Sequence, residues 1–337
     1  MKYSDDSLKL IAGSLAIIAS VIGLTGCTKK LKMHEETRPL MGTFATITVY
    51  TADEESGRDA INAAFARIED IENKASIFDE QAEAFRLNRD GYLDDPSDDL
   101  LRLITMSVDY NLLTEGYFDI TVQPLLDLWG AGELWKESEE VQQNRINETM
   151  GLIGSDNIVI EDNRIHFKLD GMKITLGGIA KGYAADEALK VLRGKGIKHA
   201  LVNIGGDMSA LGLKPNGEPW RITLANPDDT SQSLATFVFS DKSVATSGNY
   251  ERYFDPDKQV HHILNPKTGY SANECISVTV IAENGTQTDI LATSVFVMGT
   301  EDGLELVESL DGVECFIVDS NRVIHQSSGL SDYLSEG

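Results

Sequence analysis

The chain has 337 residues, 42% of them hydrophobic and 25% charged, enough to bury a substantial core as one large domain or two smaller ones. Its 54 acidic residues against 29 basic ones give a net charge of -25, which repels nucleic acid and anionic lipid and sets aside a nucleic-acid-binding role. Such acidity suits a well-solvated protein held at a membrane by a lipid alone.

The N-terminus predicts that lipid. Lys2 and Lys9 precede an apolar run at residues 10–24, which at 15 residues is shorter than the roughly 20 that a transmembrane helix needs. The run ends in Leu24-Thr25-Gly26-Cys27, the layout of an export signal with the lipobox of bacterial lipoproteins. The expectation is a signal peptide over 1–26, lipidation of Cys27, a polar tether over 27–38 and one domain over 39–335, lipid-anchored on the extracytoplasmic side of a bacterial membrane. Cys275 and Cys315 are left over, and a disulfide and two buried free thiols are equally compatible with their apolar surroundings.

Along the domain, residues 43–50 alternate as a strand does, with Met41-Gly42-Thr43 at its entry. Ala60, Ile61, Ala64, Phe65, Ile68 and Ile71 follow at helical spacing, and a second helix starts from a Ser97 cap and runs to Leu112. Ser76-Ile77-Phe78 and Arg86-Leu87-Asn88 lie between them. Gly116-Tyr117-Phe118-Asp119-Ile120-Thr121 places aromatics beside an acid, which suits the wall of a flat ring system and equally a core turn. A polar helix is predicted over 138–150, and short strands over 157–160 and 164–169.

A β-type run at 173–176 then meets Gly177-Gly178 and an apolar pattern of helical period, Ile179, Tyr183, Ala184, Ala188, Leu189 and Leu192. Two glycines at a strand-to-helix corner allow close backbone approach, the helix's first N–H groups suit an anion, and Lys181 adds positive charge. A packing turn with a surface lysine accounts for this stretch in isolation. Further strands are predicted over 199–204, 220–225, 234–239, 243–246 and 275–282. The first of these ends in Asn203-Ile204-Gly205-Gly206-Asp207, again a turn when taken alone. His261 and His262 end another strand before an Asn-Pro-Lys-Thr-Gly turn, and adjacent strand residues face opposite ways, so at most one of them serves a given site. A helix begins near Thr288, on which Asp289 and Thr293 share a face as a half-site for a hard cation; the alternative is a dipole partner and an inert threonine.

Seven anchors in this order, M-G-T, G-Y-F-D-I-T, T-L-G-G-I-A-K-G-Y-A-A-D, N-I-G-G-D, T-S-G-N-Y-E-R-Y, H-H-I-L-N-P-K-T-G and T-D-I-L-A-T, closely resemble the ApbE family of FAD:protein FMN transferases, from Met41 to Met298. The fold class expected is α+β, a single domain of mixed, largely antiparallel strands packed with helices. The resemblance implies FAD contacts at Met41, Phe78, Tyr117, Phe118, Asp119, Thr175, Lys181 and Ile263. It implies Mg²⁺ ligands at Asp289 and Thr293 with backbone oxygens of Gly178 and Ala292, and a catalytic histidine at His262. Thr175 stands where many members carry aspartate, and Phe78 where many carry tyrosine.

The implied reaction is Mg²⁺-dependent transfer of FMN from FAD to a Thr or Ser hydroxyl of an exported acceptor flavoprotein, releasing AMP. His262 is the first candidate base and His261 the second, while Lys181 and Asp289 manage the phosphate charge. The acceptor pattern, Asp-Gly-x-x-[Ser/Thr]-Gly-Ala-Thr, is absent from this chain, so self-modification is not predicted. Two alternatives are hydrolysis of FAD to FMN and AMP at the same site, and a non-catalytic FAD-binding lipoprotein.

Overall fold

The computed structural model describes residues 30–335 apart from 230, 256, 258 and 259. The expected signal at 1–26, the lipidation site Cys27 and the start of the tether lie outside the described residues.

Strands β1 (Lys32–Leu40) and β2 (Thr43–Thr51) pair antiparallel and turn through Met41 and Gly42, at φ 57° and 67°. Two left-handed residues make the tight turn that matches strand twist. The tether expected over 27–38 is thus corrected: from Lys32 onward it is an edge strand. Its polar residues hide a period of two, with His34, Glu36 and Arg38 half-buried and Met33, Glu35 and Thr37 exposed. Long polar side chains supply the apolar contact, as where the Arg38 guanidinium lies 4.3 Å from the Phe65 ring centroid.

Helix α1 (Glu54–Ala75) is capped by Asp53, which accepts from Ser56 N at 2.8 Å, and buries the six apolar residues whose spacing predicted it. Helix α2 (Glu83–Asp90) and β3 (Tyr92–Asp94) precede α3 (Asp98–Leu113), where Ser97 Oγ accepts from Leu100 N as its sequence position suggests. After α4 (Gln123–Trp129) and α5 (Glu139–Met150), β4 (Ile158–Glu161) and β5 (Arg164–Phe167) join β3 in a three-stranded sheet of order β3-β5-β4.

The rest of the chain alternates helix and strand around one large sheet. Helix α6 (Ala180–Gly194) leads into β6 (Ala200–Ile204) and β7 (Asp207–Leu211), and a separate ribbon of β8 (Trp220–Ala225) and β9 (Ser233–Phe239) follows. Then come β10 (Ser243–Gly248), β11 (Cys275–Ala282), α7 (Gly285–Met298), α8 (Thr300–Glu308), β12 (Glu314–Asp319) and β13 (Ile324–Gln326). The sheet order is β1-β2-β6-β7-β10-β11-β12-β13, with every pairing antiparallel, so the expected α+β class holds. Helices α1, α6, α7 and α8 cover one face, and the β8–β9 ribbon packs Trp220, Phe237 and Phe239 against the other. Strand β11 is buried along its whole length, which accounts for its unbroken apolar and β-branched run.

Two further sequence expectations change, and the state of the two cysteines is shown. Residues 173–176 join no ladder; Asn88 takes the partner's place, donating Nδ2 to Ile174 O at 2.8 Å and accepting from Ile174 N at 2.7 Å. The strand expected to end at His261 and His262 shrinks to isolated bridges, Tyr253 with His261 and Leu264 with Ser271. Cys275 and Cys315 are both free and buried. Cys315 lies opposite Val280 and Cys275 opposite Asp319, so a disulfide would need a different register.

Candidate functional site

The crossing of α6 and α7 brings the two anchors richest in chemistry together. A Cβ on Gly182 would stand 2.0 Å from Gly285 O, so the helices touch backbone to backbone and only glycine fits. Asp289, on α7 and 4% exposed, accepts from Gly182 N at 3.0 Å in the first turn of α6, a helix that has no side-chain cap of its own. One turn along α7, Thr293 approaches Gly178. A Cβ there would lie 3.0 Å from Thr293 Oγ1 and 3.2 Å from Phe118 Cε2, so the second glycine of the motif also serves close approach.

Lys181 pairs with Asp207, which is 2% exposed. Asp207 is delivered by the Gly205-Gly206 turn, at φ 60° and 102°, between β6 and β7. Burial pushes the Asp289 carboxyl up to about 7; the Lys181 charge opposes this and the Asp207 charge adds to it. Burial raises Asp207 as well, against the same lysine. Two buried carboxylates therefore lean on one ammonium group, a shortage of positive charge. Thr293 Oγ1 lies 3.3 Å from Ser247 Oγ at the end of β10, which adds a second hydroxyl. The Asp289 carboxylate and the Thr293 and Ser247 hydroxyls are hard oxygen donors, the kind a divalent cation such as Mg²⁺ takes. Among the described residues no three His, Cys, Asp or Glu side chains converge.

The two histidines stand in different surroundings. His261 is 1% exposed and stands edge-on to Phe296 and Tyr253. Its Nε2 lies 3.0 Å from Ala272 O, and its Nδ1 accepts from Ile263 N at 3.2 Å. Both nitrogens are engaged in the fold, which removes it as a base. His262 is half-buried, with Nδ1 3.2 Å from Arg252 O. A carbonyl only accepts, so Nδ1 carries the proton and Nε2 keeps its lone pair. Burial pushes His262 down to about 4, and the charges of Arg252, His261 and Lys181 push the same way, so the ring is neutral at physiological pH.

The expected FAD contacts spread unevenly. Phe78 is 81% exposed on the loop after α1, available for stacking. Met41 is half-buried at the β1–β2 turn. Tyr117 is half-buried beneath Lys267, whose Nζ lies 3.6 Å from its ring centroid. Phe118 is 4% exposed and packs at Gly178, and Thr175 Oγ1 accepts from Gly177 N at 3.3 Å. Two residues are occupied by the fold itself. Asp119 accepts from Thr121 N and Oγ1, Ser155 N and Oγ, and Asn111 Nδ2, so its carboxylate ties the loop together. Ile263 lies in the core under β11 and α7.

Asp207, Ser247, Asn88 and Asp186 were not singled out as site residues in the sequence. The Gly-Gly hairpin signal in N-I-G-G-D points to Asp207, Asp186 and Ser247 stand inside the T-L-G-G-I-A-K-G-Y-A-A-D and T-S-G-N-Y-E-R-Y anchors, and no local signal marks Asn88. Two cavities flank the motif: one of about 320 Å³ beside Tyr183, Asp186 and Thr286, and one of about 1020 Å³ along the three-stranded sheet beside Asn88, His166 and Lys173. Neither is lined by Lys181, His262 or Asp289. At the helix crossing Gly178, Lys181 and Thr293 are half-buried, as is His262.

Residues 41–317 match the ApbE family. A FAD:protein FMN transferase of Vibrio cholerae is 29% identical over 330 residues, 96% of this chain and 99% of its own length. One from Klebsiella pneumoniae is 32% identical over 234 residues, 68% of this chain and 72% of its own. The fold is similar to the crystal structure of the ApbE protein of Thermotoga maritima, with TM-score 0.81 at 32% identity over 90% of this chain and 100% of that one. It is also similar to the flavin transferase ApbE from Vibrio cholerae, with TM-score 0.76 at 27% identity and the same coverage. The match runs through every anchor motif and the fold agrees with it: this chain belongs to the ApbE family.

Proposed function

We propose that this protein transfers FMN from FAD to a threonine or serine hydroxyl of an exported acceptor flavoprotein bearing the Asp-Gly-x-x-[Ser/Thr]-Gly-Ala-Thr pattern, with release of AMP. The observation that carries this reading is the helix crossing, where Lys181, Asp207 and Asp289 form a cation-short cluster beside Gly178 and Thr293. Relatives covering most of the chain are named for this reaction. Mg²⁺, when bound by Asp289, Thr293 and the carbonyls of Gly178 and Ala292, would supply charge neutralisation at the pyrophosphate.

The chain's own residues do the rest. Lys181, in the first turn of α6, presents its ammonium to the phosphates, while Asp207 fixes the direction of its stem. His262 offers an unprotonated Nε2, and the negative charge of an arriving pyrophosphate raises its basicity. The acceptor hydroxyl gives its proton to Nε2 as its oxygen bonds to the FMN phosphorus. The phosphorus–oxygen bond to AMP breaks in line, and AMP leaves with the electron pair. Exposed Phe78 and half-buried Tyr117 offer faces for the rings of FAD. Export and lipidation at Cys27 place this reaction at the extracytoplasmic face of a bacterial membrane.

The test is incubation with FAD, Mg²⁺ and a peptide carrying the acceptor pattern, followed by mass spectrometry. The expected product is a peptide heavier by FMN, with stoichiometric AMP. AMP and free FMN without adduct would mean hydrolysis instead, and bound FAD without AMP would leave only a flavin carrier.

A further inference from the structure

The two helices that build the site carry the same short pattern. Gly182 is followed four residues later by Asp186 on α6, and Gly285 four residues later by Asp289 on α7. The patterns face each other in a near two-fold arrangement. Gly182 and Gly285 meet backbone to backbone: a Cβ on Gly285 would stand 2.7 Å from Gly182 O, as one on Gly182 would clash with Gly285 O. Asp289 of α7 accepts from Gly182 N at 3.0 Å, and Asp186 of α6 accepts from Gly285 N at 2.6 Å. Asp186 also takes Thr286 N at 2.8 Å and Thr286 Oγ1 at 2.6 Å. Each helix thus lends a carboxylate to the first turn of the other, where backbone donors have no partner in their own helix.

The halves of this clasp differ in what lies around them. Asp289 sits beside Lys181 and Asp207, whereas Asp186 borders the cavity of about 320 Å³ behind the crossing. Its three short bonds fix where the first turn of α7 begins, and hence where Asp289 and Thr293 project one and two turns further along. A slip of that turn would move Asp289 off Gly182 N and Thr293 away from Gly178. Charge-assisted bonds to backbone N–H groups at this length are among the strongest available to a side chain.

We propose that Asp186 is a positioning residue for the metal-facing side chains, acting through the Gly-x-x-x-Asp clasp between α6 and α7 and not by touching substrate. This rests on the reading of Asp289 and Thr293 as the side chains that hold the metal. The test compares the full-length wild type with Asp186→Asn, Thr286→Val and, as a control from a separate buried network, Asp99→Asn. Asparagine keeps the shape and replaces one acceptor oxygen with a donor facing donors. Thr286→Val removes a single bond from the opposite helix, and carries the question if Asp186→Asn does not fold.

Two measurements are made. Amide hydrogen exchange at Gly182 should quicken about tenfold in Asp186→Asn and about threefold in Thr286→Val, although the second change lies on the other helix. The apparent dissociation constant for Mn²⁺, followed by electron paramagnetic resonance, should rise about tenfold in Asp186→Asn and stay within about twofold of wild type in Asp99→Asn. Wild-type exchange at Gly182 in both clasp variants would overturn the proposal, as would a loss of Mn²⁺ affinity in Asp99→Asn equal to that in Asp186→Asn. If the wild type itself binds no Mn²⁺, the metal reading of the site fails, and the exchange at Gly182 still decides whether the clasp transmits position.

Discussion

Two clusters of charge meet helix α6 within its first two turns, and they are balanced differently. Around Asp99 every charge has an answer. Arg67 donates Nη1 and Nη2 to its two oxygens at 2.7 and 2.5 Å, Lys74 adds 2.8 Å, and the Tyr183 hydroxyl adds 2.7 Å. Glu187 shares Arg67 with it at 2.8 Å. The Arg67 bonds, ahead of the opposing effect of burial, hold the Asp99 carboxyl well below the usual carboxylate range. Around Lys181 the balance fails: Asp207 and Asp289 are more deeply buried than Asp99, share one ammonium, and both titrate above the usual range. The first cluster fastens α1, α3 and α6 to one another. The second sets two buried carboxylates against one lysine, and shifts of this kind accumulate where a protein does chemistry.

Removing the cation from each cluster should separate the roles most widely. Lys181→Met should lower FMN transfer about 10²- to 10³-fold, as loss of one transition-state charge partner does, and should also cost stability, since it leaves Asp207 and Asp289 buried without their ammonium. Arg67→Met should leave the rate of the folded enzyme within about twofold but lower stability by about 2–3 kcal/mol in urea titration, since it strands Asp99 and Glu187. That figure sits under the fully buried value because the Arg67 side chain keeps 22% of its exposure. Loss of rate in Arg67→Met equal to that in Lys181→Met would erase the contrast.

Acidity should sharpen it. Asp99 titrates lower folded than unfolded, so its contribution is full above about pH 4 and is lost as pH falls below that. Asp289 titrates higher folded than unfolded, so the metal-free protein loses that contribution as pH rises from about 4 to about 7. Mg²⁺ must displace the same proton. Its apparent affinity should fall up to about tenfold per pH unit below 7, and the Mg²⁺-induced rise in unfolding temperature should be larger at about pH 8 than at about pH 5.5. A Mg²⁺ effect independent of pH would break the assignment. The smallest effect expected is that of Tyr183→Phe, about 1 kcal/mol of stability and no change in rate, because it removes one hydrogen bond from a network that remains charge-balanced.

Much of this was legible in the sequence because local patterns carried it. The apolar spacing of α1 and α6, the Ser97 cap, the β-branched run of β11 and the seven anchors all stand in contiguous stretches. Other features were not legible because polar residues did structural work. In β1, His34, Glu36 and Arg38 take inward positions where a pattern reading looks for aliphatic residues. At 173–176 a single asparagine, Asn88, replaces a ladder strand from 86 residues away. At the site, the pairing of Asp289 with Thr293 follows from helical periodicity. Asp207 and Asp186 acquire meaning only once the hairpin and the helix crossing bring them to Lys181 and Gly285. Asp119 in G-Y-F-D-I-T has a structural task that the sequence did not show, holding its own loop with five hydrogen bonds.

The most direct test carries Asp289→Asn and Asp99→Asn in parallel, each assayed for Mg²⁺-dependent FMN transfer to the acceptor peptide well below its own unfolding midpoint. Asp289→Asn should keep or raise the midpoint, since it removes a costly buried charge, and lose about 10³-fold in rate. Asp99→Asn should lose about 2 kcal/mol of stability and keep its rate within about threefold. An Asp289→Asn protein that still joined FMN to the peptide at the wild-type rate would contradict the account.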